Sequence, residues 1–487
     1  MKKICILGAG TAGTILALEL SNLTKHEIIL LDCDSLNESF NYNFELKKHF
    51  NNNYEKCKTT GYGFGGSSNL WHGVLTNLDD EDFAYINKIS NKNIKKDLEK
   101  YYGKLVKYYG DLKYINEKKS TPSELNAYLD LSNFLEKKHI VQRSPTRFRQ
   151  MLKKKILNNN SNLKLIENAV AIKLVKSNKS LIEKIIYHKN GKFKQVEADI
   201  FITSLGGLES PRLLLQSLEN DTLSNRLIGK GLMDHPIAFI GEIILTKYIF
   251  YKQIGVKNFL YNNSNRIGYR LKFNKRFSKL NHSFFIRPGI SKNIKKLHSV
   301  LKFLIYEKFS FKNFFYILFN RNVLKLVFSL LSYKFGFGYF SKSFLVTMQL
   351  EQISNKYNKI ELSKDKDKYM RRIPLIYQKI SDELMQDISK VQKLFFNIVK
   401  NRNKFNKFNI NSKSLIPGAH YSGTCRMGSN KSNSVIDTNL RYHGIKNLYV
   451  CDASIIPKIG NANLVYTISV FSIRLADYLN KIVKKNK

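Results

Sequence analysis

The chain has 487 residues, of which 43% are hydrophobic and 12% aromatic, so it exceeds what one hydrophobic core usually supports and is too apolar for a disordered protein. Its 81 basic and 38 acidic residues give a net charge of +43, but the lysines are spread along the whole chain, which favours compositional bias over a dedicated patch for nucleic acid or membranes. Five scattered cysteines without a C-x-x-C pair exclude a disulfide scaffold and argue against a zinc ribbon.

Targeting and membrane-spanning patterns are not evident in the sequence. The apolar stretch after Met1 is short and runs into glycines, unlike the apolar region of a signal peptide. The nearest approach to a membrane span, residues 314–332, is interrupted by Arg321 and Lys325. We therefore expect a cytoplasmic protein. The aromatic, basic residues 297–333 predict a helix packed on the rest of the protein, with a peripheral contact at the membrane surface as the alternative.

The first 32 residues carry the pattern of a dinucleotide-binding unit. A strand over residues 4–7 is followed by G-x-G-x-x-G, a helix, a second buried strand and an acid. In this pattern Gly8 permits the tight turn, Gly10 lets the backbone approach a pyrophosphate, and Gly13 lets helix and strand pack closely. Asp32 can accept hydrogen bonds from ribose hydroxyls, which disfavours NADP. The pattern predicts a dinucleotide site without deciding between FAD and NAD.

A glycine-rich stretch at residues 61–73 predicts a loop that packs against a ligand. Five of its thirteen residues are glycine, and it holds the only tryptophan of the chain, Trp71. Glycines let the backbone lie against something flat or anionic. An ordinary surface loop is the simpler alternative, but a tryptophan among glycines and hydroxyls favours the ligand-facing loop.

The middle of the chain alternates strand and helix patterns. Residues 163–196 predict short strands with a turn at Asn190-Gly191, and residues 198–204 predict a buried strand. Next we expect a helix with Ser210 as its N-cap and Pro211 at its first position. Further predicted elements are strands over 344–350 and 359–362 and a helix over 381–400.

The carboxy-terminal block has the most specific pattern. H-x-x-G-T-x-R-M-G begins at His420, D-A-S-x-x-P at Asp452 and N-x-x-x-T at Asn463. The G-x-G-x-x-G opening, the glycine-serine turn and an L-M-D-H-P loop precede these motifs in the same order as in one known family. The chain resembles the glucose–methanol–choline (GMC) family of FAD-dependent oxidoreductases. The resemblance covers both ends of the chain and is weak between residues 237 and 413.

The resemblance implies an α/β fold. A Rossmann-like FAD-binding domain would be combined with a substrate domain that has an antiparallel sheet and helices. The implied segments are three parts of the FAD-binding domain at 1–78, 155–236 and 414–487, a helical cap at 79–154, and the substrate domain at 237–413.

The resemblance also implies the site residues. His420 matches the active-site base, and Asn463 matches the partner residue that faces it. No metal ligand is implied. The residues that match the FAD site are Gly8, Gly10, Gly13 and Asp32 at the ADP part, Gly66, Ser67, Ser68 and Asn69 in the turn, and Asp452 and Ala453 beside the flavin.

Non-covalent FAD is expected from one departure in the glycine-serine turn. Several relatives attach FAD through a histidine in this turn, where this chain has Asn69 and Leu70. His72 comes too late in the turn to replace that histidine.

The implied activity is oxidation of the CH–OH group of an alcohol or sugar, with hydride transfer to flavin N5 and His420 as general base. The context of Trp71 is most similar to the sugar-oxidising branch, which includes pyranose oxidases and fructose or gluconate dehydrogenases. Imidazole, with an ordinary pKa near about 6.5, suits the removal of a hydroxyl proton. Asn463 could orient the substrate oxygen.

Several alternatives stay open at this point. The electron acceptor is unknown, so a hydrogen-peroxide-forming oxidase competes with a dehydrogenase, and a flavin-dependent isomerase or lyase would involve no net oxidation. A basic protein that binds nucleic acid specifically is disfavoured, because no RNA-binding or helix-turn-helix motif is present.

Overall fold

The computed structural model describes residues 1–36, 44–50, 60–70, 73–110, 112, 115, 129, 134–142, 148–157, 161–178, 180–218, 226–251, 265–273, 282–288, 300, 310–320, 323–324, 327, 339–399 and 404–485. The strands are β1 (Lys3–Leu7), β2 (Glu27–Leu31), β3 (Lys47–Phe50), β4 (Val74–Leu75), β5 (Phe134–Gln142), β6 (Leu163–Ile166), β7 (Val170–Asn178), β8 (Leu181–Lys189), β9 (Lys192–Glu197), β10 (Ile200–Thr203), β11 (Ile237–Tyr251), β12 (Asn265–Phe273), β13 (Ser283–Pro288), β14 (Tyr339–Gln349), β15 (Lys359–Lys366), β16 (Arg372–Gln378), β17 (Lys404–Lys407) and β18 (Leu448–Val450). The α-helices are α1 (Thr11–Leu23), α2 (Asp80–Ser90), α3 (Ile94–Glu99), α4 (Val106–Tyr109), α5 (Phe148–Ile156), α6 (Gly206–Leu218), α7 (Phe311–Leu318), α8 (Asp382–Val399) and α9 (Val465–Lys485).

A five-stranded parallel sheet carries the amino-terminal motif. Its strand order is β18-β10-β1-β2-β6, and α1 packs along α9. Strands of parallel sheets are buried on both faces and therefore read as continuous apolar runs. The runs of β1, β2 and β10 are buried almost throughout, as this rule requires. The predicted strand–helix–strand unit and the predicted strand near residue 200 are confirmed.

A seven-stranded antiparallel sheet forms the second layer. Its order is β17-β11-β14-β13-β12-β5-β4, and α8 covers it by packing Ile388 and Phe395 among strand residues such as Phe344. The predicted strand at 344–350 and the predicted helix at 381–400 are confirmed. Strands β4 and β5 join this sheet from outside the predicted segment 237–413, because distant chain segments complete its hydrogen-bonded edge.

Two three-stranded sheets complete the described fold. The short strands predicted for residues 163–196 are confirmed: β6 joins the parallel sheet, and β7, β8 and β9 form an antiparallel meander. Both Asn190 and Gly191 have positive φ at the second turn of this meander, as a two-residue hairpin requires. The hairpin β15–β16 pairs in parallel with β3 and packs on Leu208 and Tyr421. This hairpin therefore lies against residues assigned to the FAD-binding domain. The domain boundaries stay a prediction, and the strand pairings cross them.

Helix α6 begins before the residues that were predicted to start it, so the N-cap role of Ser210 is wrong. Its hydroxyl donates instead to the carboxylate of Asp452, and Pro211 lies inside the helix. A proline within a helix leaves the carbonyl four residues earlier, here that of Gly207, without its usual N–H donor. The Thr424 hydroxyl donates to that carbonyl at 2.8 Å. A tertiary contact thus stabilises a helix start that local pattern disfavours.

Residues 297–333, for which the sequence predicts a packed helix with a membrane-surface contact as the alternative, are described only in part. Helix α7 lies within it, and its Phe311 and Phe315 side chains are 73% and 51% exposed. Over the described ranges, no helix combines the length and apolarity that crossing a bilayer requires. Helix α7 has no buried residue, so the predicted packing is not seen over its length, and the alternative surface contact stays a prediction.

Candidate active site

The G-x-G loop after β1 has the geometry of a phosphate-approach loop. Gly8 has φ +97°, and a Cβ on Gly13 would lie 1.9 Å from the Gly8 carbonyl oxygen, so helix and strand meet at a distance only glycine permits. A Cβ on Gly10, by contrast, would meet no atom closer than 4.0 Å. The backbone at Gly10 is therefore open to a ligand, next to the amino terminus of α1.

Asp32 lies at the carboxyl end of β2 and holds this loop. Its carboxylate accepts the N–H of Ala9 at 2.6 Å and the N–H of Asp34 at 3.0 Å. Burial raises the pKa of Asp32 to about 6, although these two hydrogen bonds lower it. The side chain also lines the cavity described below, where it could accept hydrogen bonds from a ribose.

The glycine-serine turn docks on the G-x-G loop. The Gly65 N–H donates to the Ala9 carbonyl at 2.8 Å. Polar side chains close the turn on itself: Ser67 Oγ accepts the Gly61 N–H at 3.2 Å, Ser68 Oγ donates to the Gly65 carbonyl at 2.6 Å, and Asn69 Nδ2 donates to the Phe64 carbonyl at 2.8 Å.

Three predicted residues of this turn reach the cavity and one does not. Gly66, Ser67 and Ser68 line it, whereas Asn69 is not among its lining residues and acts on the turn itself. Leu70 lines the cavity beside them. Trp71 and His72 lie outside the described residues.

Asp452 and Ala453 follow β18 and line the same cavity. The Asp452 carboxylate accepts the N–H of Gly206 at 3.0 Å and that of Ser454 at 2.8 Å, together with the hydroxyls of Ser210 and Ser454. Burial raises its pKa against the opposing effect of these bonds. Asp452 therefore joins the start of α6 to the turn after β18 at the cavity wall.

Asp234 shapes the loop that carries His420. Its carboxylate accepts three consecutive backbone N–H groups, from Gly418 at 3.0 Å, Ala419 at 3.2 Å and His420 at 2.7 Å. Ala419 has φ +60°, a left-handed conformation that costs energy for a residue with a side chain. Charge-assisted hydrogen bonds from three donors hold the loop in this strained form.

His420 and Asn463 face each other, as predicted. Asn463 Nδ2 lies 3.3 Å from His420 Nε2. Burial lowers the pKa of His420, and the positive charge of Arg270 lowers it further, while the charge of Asp234 raises it. With its pKa lowered, the imidazole of His420 is neutral at neutral pH and can accept a proton.

A second histidine, His235, packs beside the first. The two ring centroids are 5.3 Å apart, and His235 Nε2 donates to the Ala462 carbonyl at 2.8 Å. Burial lowers the pKa of His235 well below its ordinary value, so this ring is also neutral. His235 thereby joins the His420 loop to the Asn463 loop.

One cavity connects the two halves of the site. It is lined by Gly8 and Asp32 at the nucleotide end, by Ser67 and Asp452 along its walls, and by His420. A dinucleotide cofactor and a reacting group could therefore share one continuous space. Over the described ranges, no group of His, Cys, Asp and Glu is arranged to hold a metal ion.

Comparison with known proteins gives the family. The protein-family sequence model described as GMC oxidoreductase matches residues 355–472 of this chain. A putative truncated GMC-type inactive oxidoreductase of Acanthamoeba polyphaga mimivirus is 41% identical over 61 residues, which cover 12% of this chain and 69% of that protein. The chain belongs to the GMC oxidoreductase family.

Two further relatives match over short segments. Pyridoxine 4-oxidase of Microbacterium luteolum is 48% identical over 48 residues, 10% of this GMC protein and 9% of the relative. 2-Methyl-1,2-propanediol dehydrogenase of Mycolicibacterium austroafricanum is 37% identical over 65 residues, 13% and 12% of the two chains. The matches thus span about a tenth of the length of these two relatives.

Solved structures match over almost the whole chain. Pyridoxine 4-oxidase from Mesorbium loti aligns with TM-score 0.63 and 14% identity over 98% of this chain and 99% of that one. A formate oxidase variant from Aspergillus oryzae, studied for its FAD modification, aligns with TM-score 0.59 and 15% identity over 99% of both. These likenesses confirm the predicted GMC fold class.

Two residues that hold the predicted histidine–asparagine pair, Asp234 and Arg270, were not singled out from the sequence. Asp234 stands in the L-M-D-H-P loop that contributed to the resemblance, so its motif was the available signal. Arg270, which donates to Asn463 Oδ1 at 3.1 Å, lies in the segment where the resemblance is weak. As one cation among 81, Arg270 carried no signal that could have singled it out.

Proposed function

We propose that this GMC protein oxidises the CH–OH group of an alcohol or sugar, with non-covalently bound FAD and with His420 as the general base. The observation that carries the proposal is the single cavity lined both by the G-x-G loop and by His420. Two relatives are named for hydroxyl-bearing compounds, pyridoxine and a propanediol, which supports an alcohol as substrate.

The residues of the cavity fit FAD. The open backbone at Gly10 and the carboxylate of Asp32 would hold the ADP part. The turn at Gly66–Ser68 and the pair Asp452–Ala453 would lie along the rest of the cofactor, towards His420. Bound FAD would supply the hydride acceptor.

His420 would take the hydroxyl proton of the substrate. Its buried, neutral imidazole is available as a base without prior deprotonation. Asn463 is not among the residues that line the cavity, but its amide nitrogen lies close to Nε2. From there it could donate a hydrogen bond to a substrate oxygen at His420 and so stabilise developing negative charge. The backbone bonds of Asp234 keep the base in place during this step.

The test is anaerobic reduction of the FAD-loaded protein. Pyridoxine, small diols, primary alcohols and sugars are added in turn, and bleaching of the visible flavin band is followed. At least one compound should bleach it. His420→Ala should slow bleaching by about 10²–10⁴-fold while retaining FAD. His49→Ala, which removes an exposed histidine on β3, should have no effect.

Other results of the bleaching test would contradict the proposal or distinguish an oxidase from a dehydrogenase. A flavin band that no hydroxyl compound bleaches contradicts the proposed oxidation and favours an isomerase or lyase. Unchanged bleaching in His420→Ala removes the base assignment. For an active compound, hydrogen peroxide released in air identifies an oxidase, and its absence identifies a dehydrogenase with another acceptor.

A further inference from the structure

A buried arginine, Arg270, lies behind Asn463. It belongs to β12, its side chain is fully buried, and its guanidinium carbon lies 5.1 Å from the ring centre of Phe285. Among the described residues no carboxylate forms a salt bridge with it, and Asp79, the acid whose charge raises its pKa, pairs with Lys272. Burial of a cation without an adjacent anion is costly, so its position calls for a specific role.

The terminal N–H groups of Arg270 are all directed at protein oxygens. One nitrogen donates to the backbone carbonyl of Asn461 and to its Oδ1, the latter at 2.7 Å. The other donates to Asn463 Oδ1 at 3.1 Å and to Thr76 Oγ1 at 3.4 Å. Neither Arg270 nor Asn463 is among the residues that line the cavity. Because its terminal N–H groups already bind protein oxygens, Arg270 acts on the site through Asn463 and not by contact with a substrate.

The bonding capacity of each group decides where the protons lie. An arginine can only donate, so the Asn463 atom beside it must be the carbonyl oxygen. The amide nitrogen then faces His420 Nε2 at 3.3 Å, and an amide nitrogen can only donate. His420 Nε2 must therefore accept, which places the proton of the neutral ring on Nδ1, a buried atom for which no hydrogen-bond partner is found among the described residues.

We propose that Arg270 is a positioning residue that orients the amide of Asn463 and thereby keeps Nε2 of His420 unprotonated. An unprotonated Nε2 is the atom that can remove a hydroxyl proton, so the catalytic meaning of this role rests on the proposed function. Without Arg270 the Asn463 amide could rotate and accept from Nε2–H, which would place a proton where the base needs a lone pair.

The charges around His420 also favour a neutral ring. The groups that face His420 are Asp234 below its loop, the neutral ring of His235 and the guanidinium of Arg270. Of these, only the carboxylate favours a protonated ring, and burial and Arg270 oppose it. Removing Arg270 should therefore raise the pKa of His420 towards its ordinary value of about 6.5.

The experiment reads the His420 ring directly and needs no substrate. The FAD-loaded full chain is labelled with ¹⁵N in its histidines, and long-range proton–nitrogen NMR distinguishes protonated from bare ring nitrogens. His420→Gln assigns the signals. The native protein should show a bare Nε2. Asn463→Asp, nearly isosteric, presents only acceptors to both neighbours and should move the proton to Nε2.

Arginine variants test the other half of the proposal. Arg270→Met should give a mixture of both ring forms and a higher His420 pKa. Arg270→Lys, which can still donate to Asn463, should restore the native form. Arg441→Met, which removes an exposed arginine, should change neither property.

The outcomes are decisive even where one variant does not fold. A native His420 with its proton on Nε2, or an unchanged ring in Asn463→Asp, overturns the proposal without any arginine variant. An Arg270→Met protein with native ring form and native pKa overturns the role of Arg270. Failure of the alcohol panel to bleach flavin would refute the proposed function and leave these ring measurements intact.

Discussion

Replacing Asp234 by asparagine should loosen the loop that carries His420 and lower the pKa of that histidine. The carboxylate accepts three N–H groups, two through Oδ2 and that of His420 through Oδ1. An asparagine has one acceptor oxygen, so it can keep the pair from Gly418 and Ala419 while its NH2 group faces the N–H of His420. Losing one hydrogen bond to a charged acceptor costs about 2 kcal/mol.

Local hydrogen exchange measures this cost. A loss of about 2 kcal/mol corresponds to about thirtyfold faster exchange of the loop amides, because 1.4 kcal/mol is about tenfold. Exchange of a peptide over residues 418–422 should be compared between native and Asp234→Asn protein, both loaded with FAD. Asp437→Asn is the matched control, since Asp437 accepts two turn N–H groups, from Asn439 and Arg441, away from the cavity.

The pH dependence of flavin reduction provides an independent test of this role of Asp234. Asp234 raises the pKa of His420, so its neutralisation should lower that pKa. Proton removal needs the neutral ring, so activity is present above the pKa and is lost as pH falls through it. The acid limb of flavin reduction should therefore move to lower pH. An acid limb that moves to higher pH, or loop exchange no faster than in Asp437→Asn, refutes this reasoning.

Four further predictions concern the cofactor, the fold and the surface. Gly13→Ala places a Cβ against the Gly8 carbonyl, so it should lower the free energy of unfolding by about 1–3 kcal/mol and remove the flavin absorbance after gel filtration. Gly103→Ala, whose Cβ would meet no atom within 4 Å, should retain the flavin. Thr424→Val leaves the Gly207 carbonyl without its donor and should lower the free energy of unfolding by about 1–2 kcal/mol in urea titration; an unchanged midpoint contradicts the account of α6. Acid precipitation should release all FAD into the supernatant, and flavin retained in the pellet would show covalent attachment. Binding to anionic vesicles should disappear at high salt and be the same in Phe315→Ser, while salt-resistant binding lost in that variant would establish a membrane contact through α7.

Local sequence patterns predicted a large part of the fold and the facing pair of His420 and Asn463. The unit from β1 to Asp32, the turn at Asn190-Gly191 and helix α8 each depend on near neighbours in the chain, because apolar periodicity and glycine conformations act over a few residues. His420 and Asn463 were recognisable because each stands in a specific motif. The structure then brings their side chains within 3.3 Å.

Other features depend on residues far apart in the chain. Helix α6 starts before Ser210 because two residues more than two hundred positions away bind its first turn. Asp452 accepts the Gly206 N–H, which the helix start would leave unpaired, and Thr424 donates to the Gly207 carbonyl, which Pro211 would leave unpaired. Strands β4 and β5 join the antiparallel sheet because its edge needs hydrogen-bonding partners from any part of the chain.

The amino-acid sequence by itself determined the family, the nucleotide-binding motif and the identity of the facing histidine and asparagine. Tertiary structure alone decided which atom of that histidine is bare, because the answer comes from Arg270 on a strand nearly two hundred residues from Asn463. A motif records which side chains are present. The direction of a hydrogen bond between two side chains depends on the other groups that the fold places next to them. Because Arg270 can only donate, the amide of Asn463 has a single orientation towards His420.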